Sequence, residues 1–156
     1  MKTTTRALLM LSLFIPLLAT GADPDAILGV WTTAEGKSRV EISKKDGQYQ
    51  GKIIALKEPL YPTDANDKQY VAGRAGQPKV DRNNPDEKLR ERPIVGLDLL
   101  SGFRYDGDDV WSGGTIYDPE SGKTYKCKLT LVSPNELKVR GYVGVSLLGR
   151  TTVWTR

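Results

Sequence analysis

Histidine is absent from the chain, and cysteine occurs once, at Cys127. The first absence removes Ser-His-Asp and Cys-His nucleophiles, an imidazole pH switch and the commonest transition-metal ligand. The second removes zinc knuckles, C-x-x-C redox pairs and any intramolecular disulfide. A strong charge of one sign is also missing: 23 basic residues stand against 19 acidic ones, a formal +4. What remains is a chain of 156 residues with 16 glycines and 9 prolines. That length suits one domain able to bury about two thirds of its unfolded surface without staples.

Lys2 and Arg6 precede an apolar run over residues 7–18, and Ala19-Thr20-Gly21-Ala22 follows before Asp23-Pro24-Asp25. Charged, apolar and small residues in that order predict a secretory signal peptide over residues 1–22, cleaved after Gly21 or Ala22. The run holds Ser12 and Pro16, and it falls short of the roughly twenty apolar residues of a membrane-spanning helix. No cysteine stands at the cleavage point to take a lipid anchor. Loss of Lys2 and Arg6 leaves 21 basic residues against 19 acidic, so overall charge gives no reason to expect a nucleic-acid partner. Export, to the periplasm in the first instance with secretion from the cell as the alternative, takes the chain to an oxidising compartment with only Cys127. Alternation through Tyr125-Lys126-Cys127-Lys128-Leu129 puts the thiol on the face of Tyr125 and Leu129, where it is expected to be buried and inert.

From residue 29 onward the dominant period is two. The expected strands are residues 29–34, 38–43, 48–57, 93–105, 110–117, 123–132, 136–143 and 148–156. Turn sequences such as Lys45-Asp46-Gly47, Asp106-Gly107-Asp108 and Ser133-Pro134-Asn135 separate them. Eight strands with short links predict an all-β fold, a single antiparallel barrel over residues 23–156 that closes to remove its sheet edges. The exception is residues 58–92, which have no sustained apolar period and seven charges of each sign. A loop that long is often a lid or a mobile segment. Asn84-Pro85-Asp86-Glu87 offers an N-cap, a proline at the first helical position and acids in the first turn, predicting a short helix through Arg90 with Leu89 as its apolar peg.

If the first and last strands close the barrel in antiparallel fashion, Gly29-Val30-Trp31 lies beside Trp154-Thr155-Arg156. Arg156 is then placed to cap the Trp31 ring by a cation–π contact, a structural closure. A G-x-W opening with a terminal basic residue resembles the lipocalin and fatty-acid-binding superfamily of calycin barrels. More specific is a longer series: Gly36-Lys37-Ser38-Arg39-Val40-Glu41-Ile42, Gly51-Lys52-Ile53, Asn84-Pro85-Asp86, Leu89-Arg90, Arg92-Pro93, Gly96-Leu97, Tyr117-Asp118-Pro119, Gly122-Lys123-Thr124-Tyr125 and Arg140-Gly141-Tyr142-Val143-Gly144. Together with the two ends, these motifs resemble the bacterial exported family called domain of unknown function 2147 across the mature chain. The resemblance implies a calycin-like barrel and brings no activity or catalytic residues. Some members carry a cysteine pair around the second hairpin, where this chain reads Lys45-Asp46-Gly47-Gln48-Tyr49-Gln50.

The acids Asp106, Asp108 and Asp109 around Gly107 lack the six or more oxygens and the terminal glutamate of a calcium loop, and read as a turn. No spacing selects a carboxylate pair for acid–base work. No metal, cofactor or catalytic residue is expected, and the chain is not expected to be an enzyme. From Lys123 onward there are seven basic residues and one acid, Glu136. Lys126 and Lys128 share one strand face and Lys138 and Arg140 share one on the next, a four-charge patch suited to anionic envelope components or an acidic partner.

Two functions fit. The first is an exported binding module holding a small, largely apolar ligand at one barrel mouth beneath the 58–92 loop, with Phe103, Tyr105, Trp111, Tyr117 and Tyr125 as candidate lining residues. The alternative is a filled barrel acting through its surface as an envelope interaction or stress-protection protein, for which the apolar residues Val145, Leu147 and Leu148 between Gly144 and Gly149 form a sticky tip.

Overall fold

The computed structural model describes residues 22–156; the expected signal segment, except for Ala22, lies outside the described residues. Eight strands form a closed antiparallel meander: β1 (Gly29–Thr32), β2 (Ser38–Lys45), β3 (Gln48–Leu56), β4 (Asp98–Gly107), β5 (Val110–Asp118), β6 (Lys123–Ser133), β7 (Glu136–Tyr142) and β8 (Gly149–Thr155). The barrel closes where Thr32 of β1 pairs with Thr155 of β8. Period-two alternation sends Val40, Ile42, Phe103, Cys127, Leu129, Leu137 and Val139 into the core, because successive side chains of a pleated strand point to opposite faces. Asp46-Gly47 and Asp108-Asp109 turn their hairpins with positive φ at both central residues, the geometry that matches the twist of the flanking strands.

An antiparallel meander puts alternate connections at opposite ends. One end carries the β2–β3, β4–β5 and β6–β7 turns and is plugged by the segment leading into β1. There Ile27 is fully buried. The Trp31 indole donates to the Ile27 carbonyl at 2.8 Å and the Trp111 indole donates to the Pro24 carbonyl at 3.0 Å. Tyr49 donates to Asp25 at 2.6 Å, and the Lys44 ammonium meets the same carboxylate at 2.8 Å; Lys44, then Tyr49, holds the Asp25 carboxyl below the usual range. Arg156 completes the plug. Its guanidinium stands 4.3 Å from the Trp31 ring centre and donates to the carbonyls of Leu28, Ala26 and Pro134.

Phe103 packs flat against Gly114, where an added Cβ would stand 2.4 Å from the ring. The strand therefore needs glycine at that position.

The expected fourth strand begins five residues too early. Residues 93–97 carry buried apolar side chains, Ile94 and Leu97, but Pro93 pairs with Val80 of the long loop. The segment touches β3 through two backbone bonds, Gly96 to Ile53 and Ile53 to Leu97, without forming a regular ladder. The expected helix shrinks to a 3-10 turn, Glu87–Leu89, whose N-cap is Asp86 accepting from the Lys88 amide. Asn84, expected as that cap, is buried elsewhere, and Leu89 is exposed.

Candidate functional site

The opposite end of the barrel carries the β1–β2, β3–β4, β5–β6 and β7–β8 connections, and among them opens a cavity of about 1460 Å³. Its apolar surface comes from Ile53, Leu56 and Ile116 towards the mouth ends of their strands and from Val139 and Trp154 deeper in the barrel. Tyr61, Val80 and Asn83 of the β3–β4 connection contribute from above. Basic and acidic groups share the rim: Lys37 pairs with Glu35 at 3.0 Å and Lys79 with Glu58 at 3.6 Å.

The long connection is tied down at many points. Leu60 bridges Pro78, Val80 bridges Pro93, and the Gly96 amide donates to the Ile53 carbonyl on β3. Arg74 forks onto Glu91. Its main anchor is Asp81, fully buried despite its charge. One carboxylate oxygen accepts from Asn84 at 2.7 Å and from Arg92 at 2.9 Å; the other accepts from the Tyr117 hydroxyl of β5 at 2.7 Å. Arg92 also stands 5.8 Å from the Tyr117 ring centre. A buried carboxylate is tolerated only when paired and hydrogen-bonded, and every one of these partners lies in the loop or on the strand beneath it. Burial first, and then the bond to Asp81, pushes the Tyr117 hydroxyl up to about 12. The cluster clasps the loop to the barrel.

A second contact fixes the same arrangement. Asn83 donates to the Glu120 carbonyl at 2.7 Å in the β5–β6 turn. Gly122 in that turn has φ +69°, and a Cβ there would stand 1.9 Å from the Asn83 carbonyl oxygen. Only glycine allows the loop to sit so close. The 58–92 segment is thus an ordered cover over the mouth, not a structureless loop.

Of the five candidate lining residues, Tyr117 and Tyr125 line the cavity. Phe103 and Trp111 do not; both are fully buried in the core. Tyr105 packs on Trp111 with ring centres 5.1 Å apart, and its hydroxyl is buried without a hydrogen-bond partner. Alternation put all of these on inward faces but carried no information on which half of the barrel each occupies. Cys127 is buried, which pushes its thiol up to about 12. Lys126, Lys128 and Lys138 lie on β6 and β7, with Lys128 opposite Arg140. The expected four-charge patch is altered at Arg140, whose guanidinium folds onto the β7–β8 hairpin: it donates to the carbonyls of Ser146 and Leu147 and to the Thr151 hydroxyl. Sequence reasoning missed Asp81 as an anchor. The signal was present in Asn84, Arg92 and Tyr117, all within the family motifs, but nothing local joins residue 81 to residue 117.

Among the described residues no helix is long and apolar enough to cross a membrane. No curated protein is significantly similar to the chain. A solved structure from the human pathogen Helicobacter pylori, described as belonging to the lipocalin family, is similar at a TM-score of 0.65 and 25% identity, covering 83% of this chain and 81% of that one. The pattern of one family, described as uncharacterized protein conserved in bacteria (DUF2147), matches residues 29–156. A lipocalin-like barrel plugged at one end and covered at the other is thus the architecture of a chain that belongs to the DUF2147 family.

Proposed function

We propose that this protein is an exported, periplasmic binding module that takes a small, largely apolar ligand into the mouth cavity beneath the clasped loop. The supporting observation is the division of the barrel. The end around Trp31, Trp111 and Tyr49 is packed solid, whereas the mouth holds a cavity of about 1460 Å³ with an aliphatic floor. Typical small-molecule pockets enclose roughly 300–1,000 Å³, so the space is ample for one ligand. Tyr125 and Tyr117 at the wall supply ring faces for apolar contact, and Tyr125 a hydroxyl to orient a polar group. The role is storage or carriage without a chemical step. Two carboxylates near the mouth serve structure: Asp81 holds the clasp, and Asp118 accepts from Ser121 and the Glu120 amide within its own turn. Export is read from Lys2, Arg6 and the apolar run at residues 7–18.

The test is titration of the purified protein with a solvatochromic dye, followed by displacement with fatty acids and other apolar compounds. Saturable, displaceable emission is expected, together with quenching or a shift of tryptophan emission from Trp154, which lines the cavity. Val139→Trp, which fills the floor, should abolish binding while the barrel still melts cooperatively. Dye that never saturates, or binding unaffected by filling the floor, would refute the proposal.

A further inference from the structure

The β7–β8 connection, residues 143–148, presents four aliphatic side chains to solvent: Val143 is 66% exposed, Val145 62%, Leu147 86% and Leu148 72%. Contiguous exposed apolar groups on a soluble barrel mark an interaction site. The tip is held in shape. The Leu148 amide donates to the Val145 carbonyl at 3.0 Å, and the Arg140 guanidinium donates at 2.8 Å to Ser146 and at 3.1 Å to Leu147. The aliphatic groups therefore stand on a braced stem at the rim of the mouth.

The strands that carry the stem bear basic groups on this side, and the nearest acids sit across the mouth, where Glu35 of the β1–β2 connection feels the Arg150 charge. Register puts Lys126 opposite Tyr142, Lys128 opposite Arg140, and Arg150 opposite Gly141. Glu136, the one acid from residue 123 onward, sits in the β6–β7 turn at the plugged end. An aliphatic point backed by cations complements a bilayer with anionic headgroups: the acyl boundary takes the valines and leucines, and the headgroups take the cations. A second copy of the chain fits less well. A stable protein interface needs roughly 20–30 residues a side, whereas a bilayer requires only that the tip enter the headgroup–acyl boundary by about 5–10 Å.

We propose that the 143–148 hairpin tip docks the barrel, mouth first, on a lipid bilayer bearing anionic headgroups. Val143, Leu147 and Leu148 also line the cavity, so docking would bring the cavity opening to the lipid. The docking itself does not depend on the cavity's being loaded, and its test uses no ligand.

The chain from Asp23 onward contains the whole barrel and excludes the apolar N-terminal run, which would itself bind lipid. Cosedimentation of this chain is compared on vesicles of phosphatidylcholine alone and of phosphatidylcholine with phosphatidylglycerol. Binding is expected on the anionic vesicles and should weaken with salt. Leu147→Ser with Leu148→Ser should weaken it on the order of tenfold or more with an unchanged melting temperature, because both side chains point to solvent. Lys126→Glu with Lys128→Glu should reduce the preference for anionic vesicles. Absence of wild-type binding, or equal binding by the serine variant, would overturn the proposal. So would a concentration-dependent dimer, lost in that variant, with no vesicle association.

Discussion

Replacing Asp81 with alanine tests whether the clasp holds the loop over the mouth. The wild-type carboxylate accepts from Tyr117, Asn84 and both the Nε and Nη2 groups of Arg92 at 2.7–2.9 Å. Not all of that is lost in the variant. The Arg92 side chain is 39% exposed and can turn to water, and Asn84 and Tyr117 lie 3.2 Å apart and keep each other. The uncompensated part is about one charge-assisted bond, one neutral bond and a small void, or about 2–4 kcal/mol. Because the broken contacts tie a loop to a barrel, the loss should appear locally before it appears globally. Amide exchange at Asn84 and Ile94 should accelerate about 30- to 1,000-fold, while Leu129 and Leu137 in the barrel ladder keep their protection. Asp81→Asn, which retains one acceptor but turns an amide towards Arg92, should fall between. Hydrogen exchange read by mass spectrometry measures these differences. Exchange less than threefold faster in the loop, or acceleration shared equally by β6 and β7, would mean that the Leu60–Pro78 and Val80–Pro93 bridges hold the cover and that Asp81 does not.

Two further outcomes follow from the plugged end and the core. Arg156→Gln should lose the cation–π contact and two of the three carbonyl bonds, about 2 kcal/mol in urea unfolding, with Arg156→Lys recovering less than half because an ammonium cannot fork across three acceptors. Stability should fall from about pH 9 to pH 12: Cys127 rises from 9.0 to about 12 in the fold and Tyr117 from 10.0 to about 12, so the unfolded chain releases these protons first. The contribution is complete below pH 9 and lost as pH passes 12, with Cys127 giving up to about 4 kcal/mol and Tyr117 up to about 3 kcal/mol. Cys127→Ala should flatten most of that slope in pH-dependent unfolding, and a slope unchanged in that variant would refute it.

The strands were legible because their information is local. Burial alternates along Leu137, Lys138 and Val139 as it does in the bare sequence, and Asp-Gly or Asp-Asp tips mark the hairpins. The errors also have local causes. Ile94 and Leu97 are both buried but stand three residues apart, off the period of two, and they follow Pro93, which cannot donate to a ladder and pairs with the loop. Asn84-Pro85-Asp86 contains two residues able to cap; Asn84 went to the buried cluster, leaving Asp86 for the turn. The candidate wall residues divided by depth along the barrel, Tyr117 and Tyr125 to the mouth, Phe103 and Trp111 to the packed core, a coordinate that period-two reasoning does not contain.

By itself the sequence determined the strand count, the inward face of evenly alternating strands such as β6 and the meeting of Trp31 with Arg156, since pleat alternation and chain-end closure follow from backbone geometry. Tertiary structure decided the rest. Asp81 becomes an anchor only because Tyr117, 36 residues further on, arrives beneath it. Arg140 becomes a brace, instead of a patch charge, only because the hairpin returns two carbonyls to it. In both, a charged side chain takes its role from partners that appear when the barrel closes, because the energy of a buried or braced charge lies in its neighbours and not in its own position along the chain.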